Sequence, residues 1–202
     1  MNGSYIKKRI VEFFGILLFV TVILQVFFID LLVLKNFITE NSLTEIAQEL
    51  ILGIIISLFI YIAWLCPKLK YGMLVIAGFF ACLLIREMDF LTDKISISWF
   101  YFVLAVVLGC LFLAIKYYES VIYGLNDFCK SDSYYIMVCG LILIFSFARL
   151  MGMKILWRNL LGTAYVRVVK NAVEEGSELV GYLLCLVSAS KYTGSVLRKH
   201  GS

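Results

Sequence analysis

Residues 172–191 read AVEEGSELVGYLLCLVSASK, and this stretch decides how often the chain crosses a membrane. After Glu178 only twelve residues precede Lys191. At about 1.5 Å per residue these cannot span a hydrocarbon core of about 30 Å. If the stretch crosses, its helix begins near Ala172 and carries Glu174, Glu175 and Glu178 into the bilayer.

The rest of the chain has the same character. It is 62% hydrophobic and 16% charged over 202 residues, against about 45–50% and 25% in soluble domains. The apolar residues come in long blocks, the signature of bilayer-spanning helices. The expected fold is all-α, a polytopic membrane helix bundle forming a single transmembrane domain over 1–202. Its six spans are expected at about 10–32, 45–66, 71–89, 95–115, 134–153 and 172–190. Ser42 and Glu45 are spaced as a capping box before the second span, and Pro67 stops it. Lys7, Lys8 and Arg9 precede the first run as in a signal peptide, but no small-x-small cleavage pattern follows, so a retained helix is expected. Residues 155–170 place Trp157, Leu160, Leu161, Tyr165 and Val168 at roughly helical spacing among basic residues. That pattern predicts an amphipathic helix on the membrane surface. No internal repeat supports an inverted-repeat transporter.

The net charge of +4 reports orientation, and no basic run is interleaved with aromatics for nucleic-acid binding. With the N-terminus inside, ten of the eighteen lysines and arginines fall on the cytoplasmic side. They are Lys7, Lys8, Arg9, Lys68, Lys70, Lys116, Lys130, Lys191, Arg198 and Lys199. Two of the remainder, Arg86 and Arg149, lie within the bilayer. The positive-inside rule thus predicts both termini in the cytoplasm of a cell whose inner membrane holds the protein. Six cysteines and one histidine form no CxxC pair, so free packing cysteines are expected, with Cys129 alone in a loop.

Chemistry concentrates where three spans carry charge. By helical rise, Arg86 and Glu87 lie about 24–25 Å above Lys70, and Asp89 about 28 Å. Arg149 lies about 24 Å above Ser133, and Glu178, Glu175 and Glu174 about 20–25 Å above Lys191. Intramembrane charges cost roughly 2.5–3.5 kcal/mol each on insertion scales, so these groups must face one another or water. Glu174, Glu175 and Glu178 share one helix face. The candidate ion- or ligand-binding residues are Glu87, Asp89, Glu174, Glu175 and Glu178, with Arg86, Arg149, Gln25 and Tyr182 as charge partners. Gln25, Glu49 and Trp99 fall at the same depth on the other helices. The acids outnumber the arginines by three. That surplus requires protonation, a bound cation or the basic surface helix.

Two readings stand side by side. In one, Glu175–Arg149 and Glu178–Arg86 pair as a structural network. In the other, the acid surplus binds a proton, a cation or a small polar ligand. Beyond these stand a sensor or scaffold subunit engaging a protein partner or a second copy, and a membrane enzyme acting on lipid headgroups. An enzyme lacks a nucleophile–histidine pair here; a carboxylate-only metal site stays open, and no cofactor is expected.

The acidic end of the third span, paired with a last span opening Glu174-Glu175-Gly176-Ser177-Glu178-Leu179-Val180-Gly181, resembles a loose group of bacterial multi-pass membrane proteins without assigned function. Those proteins often carry a histidine in the first motif, where this chain has Arg86-Glu87-Met88-Asp89. The resemblance therefore implies a multi-pass membrane fold and carries over no metal set and no activity.

Overall fold

The computed structural model describes residues 2–34, 42–88 and 98–200. Asp89 and the first residues of the fourth expected span lie outside the described residues. Among the described residues there are eight helices and no strand, so the chain is all-α as expected. Helix α1 (Asn2–Phe28) runs into a π-helical segment, Ile29–Leu34. It is followed by α2 (Leu43–Leu65), α3 (Lys70–Glu87), α4 (Trp99–Lys116) and the short α5 (Tyr118–Cys129). Helix α6 (Ser133–Met151) widens to a π-helix over Leu143–Ala148. Helix α7 (Lys154–Leu161) and the long α8 (Arg167–His200) complete the chain.

Five of these helices, α1, α2, α4, α6 and α8, are long and apolar enough to cross a membrane. Helix α3 packs along α2 and α4 but carries Lys70, Arg86 and Glu87 within its 18 residues. Those three charges set it apart from the other five expected spans.

Three expectations need correction. Residues 118–129, expected as a loop, form α5, so Cys129 is helical and exposed. Its twelve residues bury only Val121, Gly124 and Phe128, a stripe at i, i+3 and i+7 too short and too polar to read as a span. The amphipathic segment is confined to Lys154–Leu161. Gly162, at φ 55°, and the 3₁₀ turn Gly162–Ala164 end it, because that backbone region suits glycine and stops an α-helix. Residues from Arg167 onward belong to α8, whose 34 residues give a rod of about 51 Å. The added length lies before Ala172 and after Lys191, so the stretch between Glu178 and Lys191 is still twelve residues, and the depth of the glutamates rests on what they touch.

Helix α8 is the centre of the bundle, packed against α2, α6 and α1. Leu179, Tyr182, Leu183, Cys185 and Ala189 are buried on several of its faces, as expected of a helix surrounded by others. Gly140 of α6 and Gly181 of α8 let these two helices approach closely. A Cβ on Gly140 would stand 2.7 Å from the Gly181 carbonyl oxygen, and one on Gly181 would stand 2.9 Å from the Gly140 carbonyl oxygen. An aromatic cluster closes the core beside α5. Phe59 stacks on Phe80 at 6.2 Å, and Phe128 meets Tyr192 edge-on at 5.0 Å. At the start of α2, the Ser42 side chain accepts from the Glu45 amide at 3.2 Å. The buried Asp30 carboxylate accepts from the Thr44 amide at 3.0 Å and its hydroxyl at 2.8 Å. A residue that reads as an interruption in the first apolar run thus caps the next helix.

The N-terminal and C-terminal parts of the chain meet at one end. Glu12 of α1 pairs with Lys191 of α8, Arg9 reaches Asp132 at 3.5 Å, and Tyr192 donates to Asp127 at 2.7 Å. The charged layer of α3, α6 and α8 gathers at the opposite end.

Candidate functional site

The centre of that layer is Glu178, which α8 holds at 3% exposure. One carboxylate oxygen accepts from Arg149 Nη2 at 2.9 Å and from Arg86 Nη2 at 3.5 Å. The guanidiniums arrive from different helices. Arg149 follows the π-helical segment of α6, where the added residue re-aims the side chain after it. Arg86 stands in the last turn of α3 and also pairs with its neighbour Glu87. Glu87 in turn accepts from the Tyr182 hydroxyl at 2.6 Å. Tyr182 is fully buried one turn below Glu178 on the same face. A buried acid held by two bidentate-capable bases is the arrangement in which charge is tolerated away from water.

Glu174 sits at the rim. It pairs with Lys170 Nζ at 2.6 Å and with Arg149 Nη1 at 3.9 Å. Its carboxylate lies against Gly152, where a side chain would collide with it. The expected pair Glu175–Arg149 does not form: Arg149 serves Glu178 and Glu174 instead, while the expected Glu178–Arg86 pair is present at the longer distance.

Glu175 differs from the other acids. Among the described residues no cation lies within ion-pair distance of it. Its partner is Gln48 of α2, whose Nε2 donates to the Glu175 carbonyl at 3.1 Å and to its Oε2 at 3.2 Å. Gln48 is fully buried, and its Oε1 has no hydrogen-bond partner. The glutamine thus spends its donor on Glu175 and leaves its own oxygen without one.

Among the described residues, Arg86, Arg149 and Lys170 face Glu87, Glu174, Glu175 and Glu178, leaving one acid in surplus where three were expected. Lys170, expected on the surface helix, supplies the added cation from the first turns of α8. Asp89 lies outside the described residues. Gln25 does not join the cluster: its side chain is exposed and donates to its own helix at the Thr21 carbonyl, 3.2 Å away. Glu49 lines a shallow groove on the outer face of α2 with Leu50, Ile54 and Tyr61, so the helix turns its neighbour Gln48 inward instead. The signal for Gln48 is present in the sequence. It stands at i, i+3, i+4, i+7 and i+11 with Ile51, Leu52, Ile55 and Phe59, all buried, so an amide occupies the core stripe. No group of three or more His, Cys, Asp or Glu among the described residues is arranged to hold a metal ion. No family model, curated protein or solved structure matches this chain.

Proposed function

We propose that this protein is a multi-pass membrane protein that binds or passes a monovalent cation or proton at Glu175. Gln48 is the neutral co-ligand and the Glu178–Arg149–Arg86 network is the frame. The observation that carries this reading is an acid lacking a cationic neighbour among the described residues, held by the amide nitrogen of a fully buried glutamine whose own oxygen is left without a donor. Buried acceptors are normally satisfied, and a bound cation or an acid proton would supply the partner that the Gln48 oxygen lacks. The set is too poor in carboxylates for a divalent ion, which takes six or more oxygens or a tight octahedron.

In this reading α3 is a sixth crossing, its charges turned toward α8. Positive-inside bias places both termini in the cytoplasm of a bacterial inner membrane and the cluster toward the outer leaflet. Helix α7, with Ile155 and Leu160 exposed and Trp157 donating to the Met151 carbonyl at 2.5 Å, lies on that surface. The resemblance to bacterial multi-pass proteins accords with this placement.

Purified protein in liposomes tests the proposal through uptake of sodium, potassium and protons. Glu175→Gln is expected to reduce uptake of the preferred ion by about tenfold or more, equivalent to about 1.4 kcal/mol of binding. Glu174→Gln, which alters a rim pair, is expected to reduce it far less. Equal uptake by wild type and Glu175→Gln, both folded, would sink the proposal.

A second reading, a non-catalytic subunit of a membrane complex, draws on α4, which buries none of its residues. Leu108, Leu111 and Phe112 project from it, toward lipid or a partner helix. A stoichiometric partner that co-purifies with wild type and is lost in Leu108→Arg would favour it.

A further inference from the structure

At the end where the termini meet, α1 and α8 enclose a cavity of about 550 Å³. Lys8, Arg9, Lys191, Arg198 and Lys199 line it, against two acids, Glu12 and Asp132. Both acids are already engaged, Glu12 with Lys191 and Arg9, and Asp132 with Arg9. Lys199 pairs with Asp127 outside the lining at 3.9 Å, and the lining itself holds five bases against two acids. Ser131 and Ser195 also face the cavity. Each donates its hydroxyl proton to a backbone carbonyl at 2.7 Å, Phe128 and Tyr192 respectively, which leaves hydroxyl lone pairs to accept from a ligand.

A second groove of about 350 Å³ shares Arg9 and continues along α1 between Ile6, Ile10, Phe13 and Phe14. Phe13 and Phe14 are more than half exposed. A basic chamber with hydroxyl acceptors and an apolar trough therefore adjoin at Arg9, which lines both. A free phosphate fits the chamber and has no use for the trough; an acyl chain has the reverse preference. The combination suits one molecule with an anionic, hydroxylated head and a hydrocarbon tail. The chamber's size is that of a small-ligand pocket, and basic pockets between helices at a membrane surface take anionic headgroups.

We infer that this cavity and groove form a binding site for an anionic glycerophospholipid, its phosphate at Lys8, Arg198 and Lys199 and one acyl chain along Ile6, Ile10, Phe13 and Phe14. The inference rests on the membrane-spanning reading of the bundle and is independent of cation binding at Glu175.

The test places the full chain in nanodiscs of equal phosphatidylglycerol and phosphatidylcholine and counts retained lipids by native mass spectrometry. Wild type is expected to retain phosphatidylglycerol at least tenfold over phosphatidylcholine. In the combined variant Lys8→Gln, Arg198→Gln, Lys199→Gln the preference is expected to be lost, since each base near the surface is worth about fivefold. All three residues are exposed, so helical content and elution volume should not change. Phe13→Ala with Phe14→Ala is expected to lower total lipid retention while leaving binding of inorganic phosphate unaltered. Equal retention of both lipids by wild type, a preference that survives the three-base variant, or inorganic phosphate stabilising the detergent-purified protein as strongly as the lipid would each overturn the inference.

Discussion

Two glutamates three residues apart on one helix have opposite roles because their neighbours differ. Glu178 receives two guanidiniums while almost fully buried, and replacing it with glutamine removes the negative charge that Arg149 and Arg86 share. Breaking a fully buried pair by removing one partner costs about 3–5 kcal/mol, and with Arg149 47% exposed the loss here falls below that range while staying well above that of a surface pair. Glu178→Gln should therefore lower the thermal midpoint in detergent sharply. Glu175→Gln removes a charge that has no counterion among the described residues and keeps an oxygen for Gln48, so its midpoint should stay within about 1 kcal/mol of wild type. Calorimetric or fluorescence melting of the two variants side by side checks the ranking, and the reverse order would refute the assignment of frame and site. Tyr182→Phe removes a single hydrogen bond to Glu87 and should cost about 1 kcal/mol in the same assay.

Among the elements, the contact of α6 with α8 depends on two glycines whose absent side chains let Gly140 and Gly181 bring their backbones together. Gly181→Leu drives a side chain into Ile144 and the Gly140 carbonyl and separates the helices that carry Arg149 and Glu178. Overpacking of this kind costs about 1–3 kcal/mol, read as a lowered melting point. Gly53→Leu, at a position with open space around it, should cost little. Five of the six expected spans, and the three charged helices, were legible in the sequence because length and apolarity are properties of contiguous residues. The identity of the inward polar group on α2 was obscured because depth alone does not separate Gln48 from Glu49. Only the face shared with Ile51, Leu52 and Ile55 does. Helix α5 was hidden because its stabilising stripe, Val121, Gly124 and Phe128, is short and includes a glycine. The start of α8 was masked by basic residues that resemble a surface helix, although Lys170 turns to Glu174.

At the scale of the whole molecule, the pairs Glu12–Lys191 and Arg9–Asp132 bring the two termini to one end and leave the charged layer at the other. Membrane placement then predicts opposite labelling at the two ends. A cysteine introduced at Gly162 should react with an impermeant maleimide in intact cells, whereas the exposed Cys129 should react only after lysis. Labelling of both, or of neither, before lysis would contradict the topology. The charged layer and the basic chamber would then face different compartments, one reading the outer solution and the other the inner leaflet. The central claim is that Glu175 is the carboxylate that meets the ion, and infrared difference spectroscopy on ion addition tests it most directly. The account predicts a carboxyl band that shifts when the preferred ion is added, disappears in Glu175→Gln and persists in Glu174→Gln. A band unchanged in Glu175→Gln, or no ion-dependent band at all, would contradict it.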